Sequence, residues 1–98
     1  MGVNELTDSS HFAQLLQQVG SKTVFVDFYA TWCSPCQVVA PFFEELSNTY
    51  PQAVFIKIDV DKLSDVASAN GVSAMPTFMC FQHGVKKDVL RGMFHDCL

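Results

Sequence analysis

Apolar positions recur along this chain with two different periods, and the switches between them mark out its elements. In residues 9–21, "SSHFAQLLQQVGS", apolar side chains fall at Phe12, Leu15, Leu16 and Val19. That is the spacing of an amphipathic helix, with polar capping residues ahead of it and Gly20 behind. Residues 22–30, "KTVFVDFYA", are β-branched and aromatic and predict a buried strand. Residues 34–50, "SPCQVVAPFFEELSNTY", return to the helical period, with Val39, Phe42, Phe43 and Leu46 expected on one face. Pro41 lies inside that helix, where it removes a backbone donor and is expected to kink it. A second strand follows at 53–60, "AVFIKIDV", then a short helix at 62–70, "KLSDVASAN", stopped by Gly71. "TFMCFQ" and "KKDVLR" on either side of "HG" predict a hairpin, and "VNEL" near the start adds a candidate edge strand. Strand, helix, strand with so long a crossover requires parallel strands joined right-handedly, whereas the hairpin must be antiparallel. The expected class is α/β: a central mixed sheet with helices on both faces.

Ninety-eight residues, nine of them Phe, supply enough apolar material for one domain spanning 1–98 with its own core. A formal net charge of −4 with scattered Lys and Arg leaves no electrostatic footprint for nucleic acid. No run of 18 apolar residues is present to span a membrane. "MGVNELTDSS" lacks the basic flank and apolar stretch of a secretory signal, and Leu6 stands where a myristoylation motif wants Ser or Thr. Cys97 comes too late for prenylation. The expectation is a soluble, cytoplasmic protein. After Gly92 only "MFHDCL" remains, too short for a stable closing helix.

The chemistry concentrates in "ATWCSPCQ", residues 30–37, where Cys33 and Cys36 follow the most hydrophobic run in the chain. In a reducing compartment a C-x-x-C is either redox-active or half of a metal site. A structural zinc needs four ligands, usually from two pairs. Here no second pair exists, and the set Cys33, Cys36, His95 and Cys97 draws half its ligands from the tail. The redox reading accounts for more residues. If Cys33 caps a helix opening at Ser34–Pro35, its sulfur faces free N–H groups and the positive end of the helix dipole, which favour a thiolate. Pro35 suits the first turn, where its missing N–H costs nothing. Cys36, three residues on, reaches Cys33 from the same side, and a more inward position would keep it a thiol until needed. Cys80 alternates with Phe78 on one strand face and reads as a small buried hydrophobe.

Asp27 is the lone carboxylate in an apolar strand. Alternation places Val24, Val26, Phe28 and Ala30 on one side and Phe25, Asp27 and Tyr29 on the other. Burial would raise its pKa and make it a base for Cys36. The competing reading is an Asp that bends to solvent or pairs with Lys57 for structure alone.

Taken together, "VDFYATWCSPC", the helix proline Pro41, "KIDVD" and "AMPTF" resemble the thioredoxin family from about Leu6 to Gly92. The resemblance implies the thioredoxin fold, with its C-terminal helix short or missing here. It implies a protein-disulfide reductase with Cys33 as nucleophile, Cys36 as resolving thiol, the two forming the redox disulfide, and Asp27 as buried acid/base. Lys57 matches the lysine that neighbours this Asp in bacterial members. Pro76 would be a cis-proline facing the disulfide, although an ordinary trans proline is the commoner case for X-Pro. Trp32, Ala74, Met75 and Gly92 would line the substrate-docking surface beside Pro76, with Asp61 a partner for the Trp32 indole. The implied partners are disulfide-containing proteins and a thioredoxin reductase that passes electrons from NADPH, with no bound cofactor and no metal, in a monomer or weak homodimer. Ser34 departs from the family's usual Gly, and Gln37 from its usual Lys or Arg. Two other classes stay open: a non-catalytic thioredoxin-like binding module, and a zinc-binding module.

Overall fold

A computed structural model describes residues 2–90. Its elements follow the predicted order: β1 (Asn4–Glu5), α1 (Ser10–Gln18), β2 (Val24–Tyr29), α2 (Ser34–Thr49), β3 (Val54–Asp59), α3 (Ser64–Ala69), β4 (Thr77–Gln82) and β5 (Val85–Leu90). The strands form a five-stranded sheet in the order β1-β3-β2-β4-β5. β1 and β2 both run parallel to β3, while β4 is antiparallel to β2 and to β5. The sheet is therefore mixed, as the pattern required. The tail, where the closing helix is expected to be short or missing, lies with Gly92, His95 and Cys97 outside the described residues.

Strict alternation along β2 divides the core. Val24, Val26 and Phe28 join Ile56, Ile58, Met79 and Phe81 on one face, covered by Val66 and Ala67 of α3 and by Phe12, Leu15 and Leu16 of α1. Phe25, Phe55, Phe78 and Cys80 occupy the other face against Phe43 of α2, with Val39 and Leu46 packed alongside. The Phe25 and Phe55 rings stack at 4.9 Å, and Phe43 meets Phe55 edge-on at 5.3 Å. Aromatic pairs in these geometries contribute about 0.5–1.5 kcal/mol beyond their buried area.

Local chemistry sets the boundaries. The Asp8 carboxylate accepts from the Ser10 backbone N–H at 2.9 Å and its hydroxyl at 2.8 Å, satisfying a donor that the first turn of α1 leaves free. His83 and Gly84 both have positive φ, 54° and 78°, the twist a two-residue hairpin loop needs. The loop is therefore tighter than predicted, and β5 begins at Val85 rather than Lys86. α3 is also shorter than the 62–70 reading, because Lys62 and Leu63 form the turn that precedes it. α2 continues through Pro41. Phe43 is buried as predicted, but Phe42 corrects the predicted face: its side chain is 65% exposed, and Ser47 is buried in addition.

Candidate active site

The parallel strand β2 ends at Tyr29, and the buried Ala30 after it hands the chain to a turn closed by the Cys33 N–H on the Ala30 carbonyl at 3.1 Å. Cys33 is then extended (φ −90°, ψ 108°) and caps α2. Its Sγ accepts the Cys36 backbone N–H at 3.2 Å, the bond an N-capping oxygen would make to the third helical residue. Pro35 sits in this first turn, leaving one orphan donor fewer. The two sulfurs are joined as a disulfide, with Cα atoms 5.3 Å apart. The other two residues of the zinc set, His95 and Cys97, lie outside the described residues.

Exposure does not distinguish the two thiols as expected. Cys33 is 5% and Cys36 4% exposed, while Cys36 is the one that lines the cavity shared with Asp27. The asymmetry lies in hydrogen bonding: Cys33 Sγ receives the helix N–H, and Cys36 supplies it. Both pack with Ala30 in a small apolar cluster that Met75 and Val60 border.

β4 runs antiparallel to β2 with Thr77 opposite Phe28, which delivers the segment before Thr77 to the same end of the sheet as the cystine. The Met75–Pro76 peptide bond is cis. Ala74 is exposed, Met75 and Pro76 are half-buried, and the Thr77 hydroxyl donates to the Ala74 carbonyl. Trp32 projects from the turn, 66% exposed, and its Nε1–H donates to Asp61 Oδ2 at 2.9 Å. It is a lip, not core. Gln37, where the family pattern has a cation, donates Nε2–H to the Thr31 carbonyl at 3.0 Å and so braces the turn.

Asp27 is 4% exposed, and burial pushes its carboxyl up to about 7, with the Lys57 charge acting in the opposite sense. Oδ1 has no hydrogen-bond partner among the described residues. The carboxyl shares a cavity of about 290 Å³ with Cys36, Gln37, Ala40, Tyr29 and Lys57. Register places Lys57 directly beside Asp27, yet its ammonium pairs with Glu5 at 4.0 Å. The purely structural Asp27–Lys57 ion pair is thus not formed. Glu5 and Tyr29 escaped the sequence reading as site residues, because Glu5 reaches Lys57 only through the pairing of β1 with β3, and Tyr29 through that of β2 with β3.

A cystine capping a helix at the end of a central parallel strand, over a buried acid, defines a redox-active α/β protein. The thioredoxin family model matches residues 2–96. Thioredoxin-1 of Schizosaccharomyces pombe is 49% identical over 90 residues, covering 92% of this chain and 85% of the relative. A crystal structure of Schistosoma mansoni thioredoxin superposes with a TM-score of 0.88 at 45% identity, over 93% of this chain and 83% of that one. A thioredoxin f2, solved in complex with ferredoxin:thioredoxin reductase, matches with a TM-score of 0.88 at 32% identity, over 93% and 83% of the two chains. The chain belongs to the thioredoxin family. It has the thioredoxin fold and is a thiol–disulfide oxidoreductase acting on proteins through its Cys33–Cys36 pair.

Proposed function

We propose that this protein is a reductase of protein disulfides in which Cys33 attacks and Cys36 resolves. The observation that carries the order is the Cys36 N–H aimed at Cys33 Sγ, because a donor at a helix N-terminus stabilises a thiolate on the capping sulfur. In the reduced protein the Cys33 thiolate attacks one sulfur of a substrate disulfide and displaces the other as a thiolate, which takes a proton from water. Asp27 then accepts the Cys36 proton, and the Cys36 thiolate attacks Cys33 Sγ. The bond from Cys33 to substrate breaks, the second substrate sulfur leaves as thiolate, and the Cys33–Cys36 disulfide forms. Two electrons have passed from the dithiol to the substrate.

Trp32, Ala74, Met75 and Pro76 form the docking surface, with Gly92 its expected extension. Their position at the cystine end of the sheet supports this reading. Regeneration runs through a thioredoxin reductase drawing on NADPH, an electron-transport role in the cytoplasm carried by a single domain over 1–98, as a monomer or weak homodimer. The reductase partnership of the thioredoxin f2 relative supports the kind of partner. No helix among the described residues is long and apolar enough to cross a membrane.

Trapping tests the order of attack. Cys36→Ser is expected to accumulate mixed disulfides with protein substrates on Cys33, and Cys33→Ser to accumulate none. Equal trapping by both variants, read by non-reducing electrophoresis and mass spectrometry, would reverse or remove the assignment. Absence of turnover with a reductase and insulin would favour the binding-module reading instead.

A further inference from the structure

Three strands set three charged residues in one row across the sheet. Glu5 of β1 is the register partner of Lys57 of β3, and Lys57 is the register partner of Asp27 of β2. In-register parallel neighbours point to the same face, so the Lys57 ammonium stands between two carboxylates and has to divide itself between them. It goes to Glu5: Nζ lies 4.0 Å from Glu5 Oε1, whereas no ion pair with Asp27 forms and Asp27 Oδ1 stays unpartnered. Tyr29 completes the arrangement. Its hydroxyl donates to Glu5 Oε2 at 2.6 Å, and its ring lies under the Lys57 ammonium, 5.3 Å from the centroid. Burial, the hydrogen bond to Glu5 and neighbouring carboxylates all push the Tyr29 phenol up, so it stays protonated and keeps donating over the working range.

The choice has a physical reason. Both Lys57 and Glu5 keep part of their side chains in water, so their pairing desolvates little, while pairing with the buried Asp27 carboxylate would strip the ammonium of more of its hydration. The ion pair itself is worth little, as partly exposed pairs are. Its effect is positional. We propose that Glu5 and Tyr29 are positioning residues that hold the Lys57 ammonium at the mouth of the Asp27 cavity and out of ion-pair range, leaving the Asp27 carboxyl free to exchange a proton with Cys36. The inference rests on the proton-transfer role given to Asp27 above.

The remaining groups near Asp27 are already engaged or uncharged. From α2 come Cys36, Gln37 and Ala40, and from β4 its register partner Phe78. On β3, Asp59 accepts the Asp61 and Lys62 backbone N–H groups with Oδ1, and Asp61 itself holds Trp32. α1 and α3 pack on the opposite face of the sheet. Lys57 is accordingly the one described cation set to answer to Asp27, and Glu5 with Tyr29 decides where it stands.

The test uses the full chain in two states. In the oxidised protein, the Asp27 carboxyl carbon is titrated by ¹³C NMR. In the reduced protein, the pH profile of nitrothiobenzoate release from a Cys33 mixed disulfide is followed by stopped flow. Glu5→Gln frees the ammonium to approach Asp27, and an opposite charge a few ångströms nearer lowers a carboxyl pKa, so the Asp27 midpoint is expected to fall by about one pH unit or more. Tyr29→Phe, which keeps the ring and drops the hydroxyl, should move it in the same direction by less. Because Glu5 acts through Lys57, the effect of Glu5→Gln should shrink to less than half in a Lys57→Gln background. An unmoved midpoint in Glu5→Gln overturns the proposal, and so does an equal shift with and without Lys57. A release profile that Asp27→Asn leaves unchanged overturns the underlying role of Asp27 instead, and the two failures are read independently.

Discussion

Ionising Asp27 sets the folded protein against its own interior. An ordinary carboxyl loses its proton near 3.8, but burial holds this one to about 7 in the fold. The sign follows directly: between those values the unfolded chain is charged while the folded chain keeps its proton. Folding stability is therefore greatest below about pH 4 as far as this residue is concerned. It declines as pH rises, at up to about 1.4 kcal/mol per pH unit, and levels off above 7. Asp27→Asn removes the titration. Urea denaturation of the oxidised protein is expected to show the variant more stable by roughly 4 kcal/mol at pH 8, with the gain vanishing toward pH 4. A pH-independent difference, or a variant less stable at pH 8, would contradict a buried and unpaired carboxyl. The same substitution is expected to slow release of substrate from Cys33 at neutral pH, as the proton-transfer role proposed for Asp27 requires.

At the scale of the element, α2 carries both the cystine and the cover for half the core. Phe43 is buried among Phe55 and Phe78, and Phe43→Ala is expected to lower stability by about 3–5 kcal/mol. Phe42, one residue away and 65% exposed, is expected to change it by no more than about 0.5 kcal/mol when replaced by Ala. Comparable losses in the urea midpoint for both variants would mean that the helix is rotated about its axis from the orientation described. The pair also shows where sequence reading of elements succeeds and fails. Existence, type and order of the elements were legible from period together with β-branched and aromatic content and the turn residues between runs. Which of two adjacent phenylalanines faces the sheet was not, since a window of two turns admits both and only the fixed position of Cys36 at the cap sets the helix phase. Single-residue boundaries depended on turns, as at His83–Gly84, whose positive φ values shortened the loop.

At the scale of the molecule, the site is assembled by topology from residues far apart in sequence. The cystine turn after β2 and the cis-proline segment before β4 meet because those strands are antiparallel neighbours. Sequence reading located Cys33, Cys36, Asp27, Trp32 and Pro76, because each belongs to a local motif. It missed Glu5 and Tyr29 because their meaning appears only when a two-residue edge strand pairs with β3. One further property belongs to the molecule as a whole, because the chain has a single tryptophan. Trp32 is two-thirds solvated in the native state, so its fluorescence maximum already lies near that of an unfolded chain. Urea unfolding should scarcely shift the emission wavelength, and far-ultraviolet circular dichroism is the measure of folding to use. A peptide seated over the cystine would remove water from the indole and move its emission to the blue. The wavelength of this single indole is thus expected to report docking over the cystine rather than denaturation.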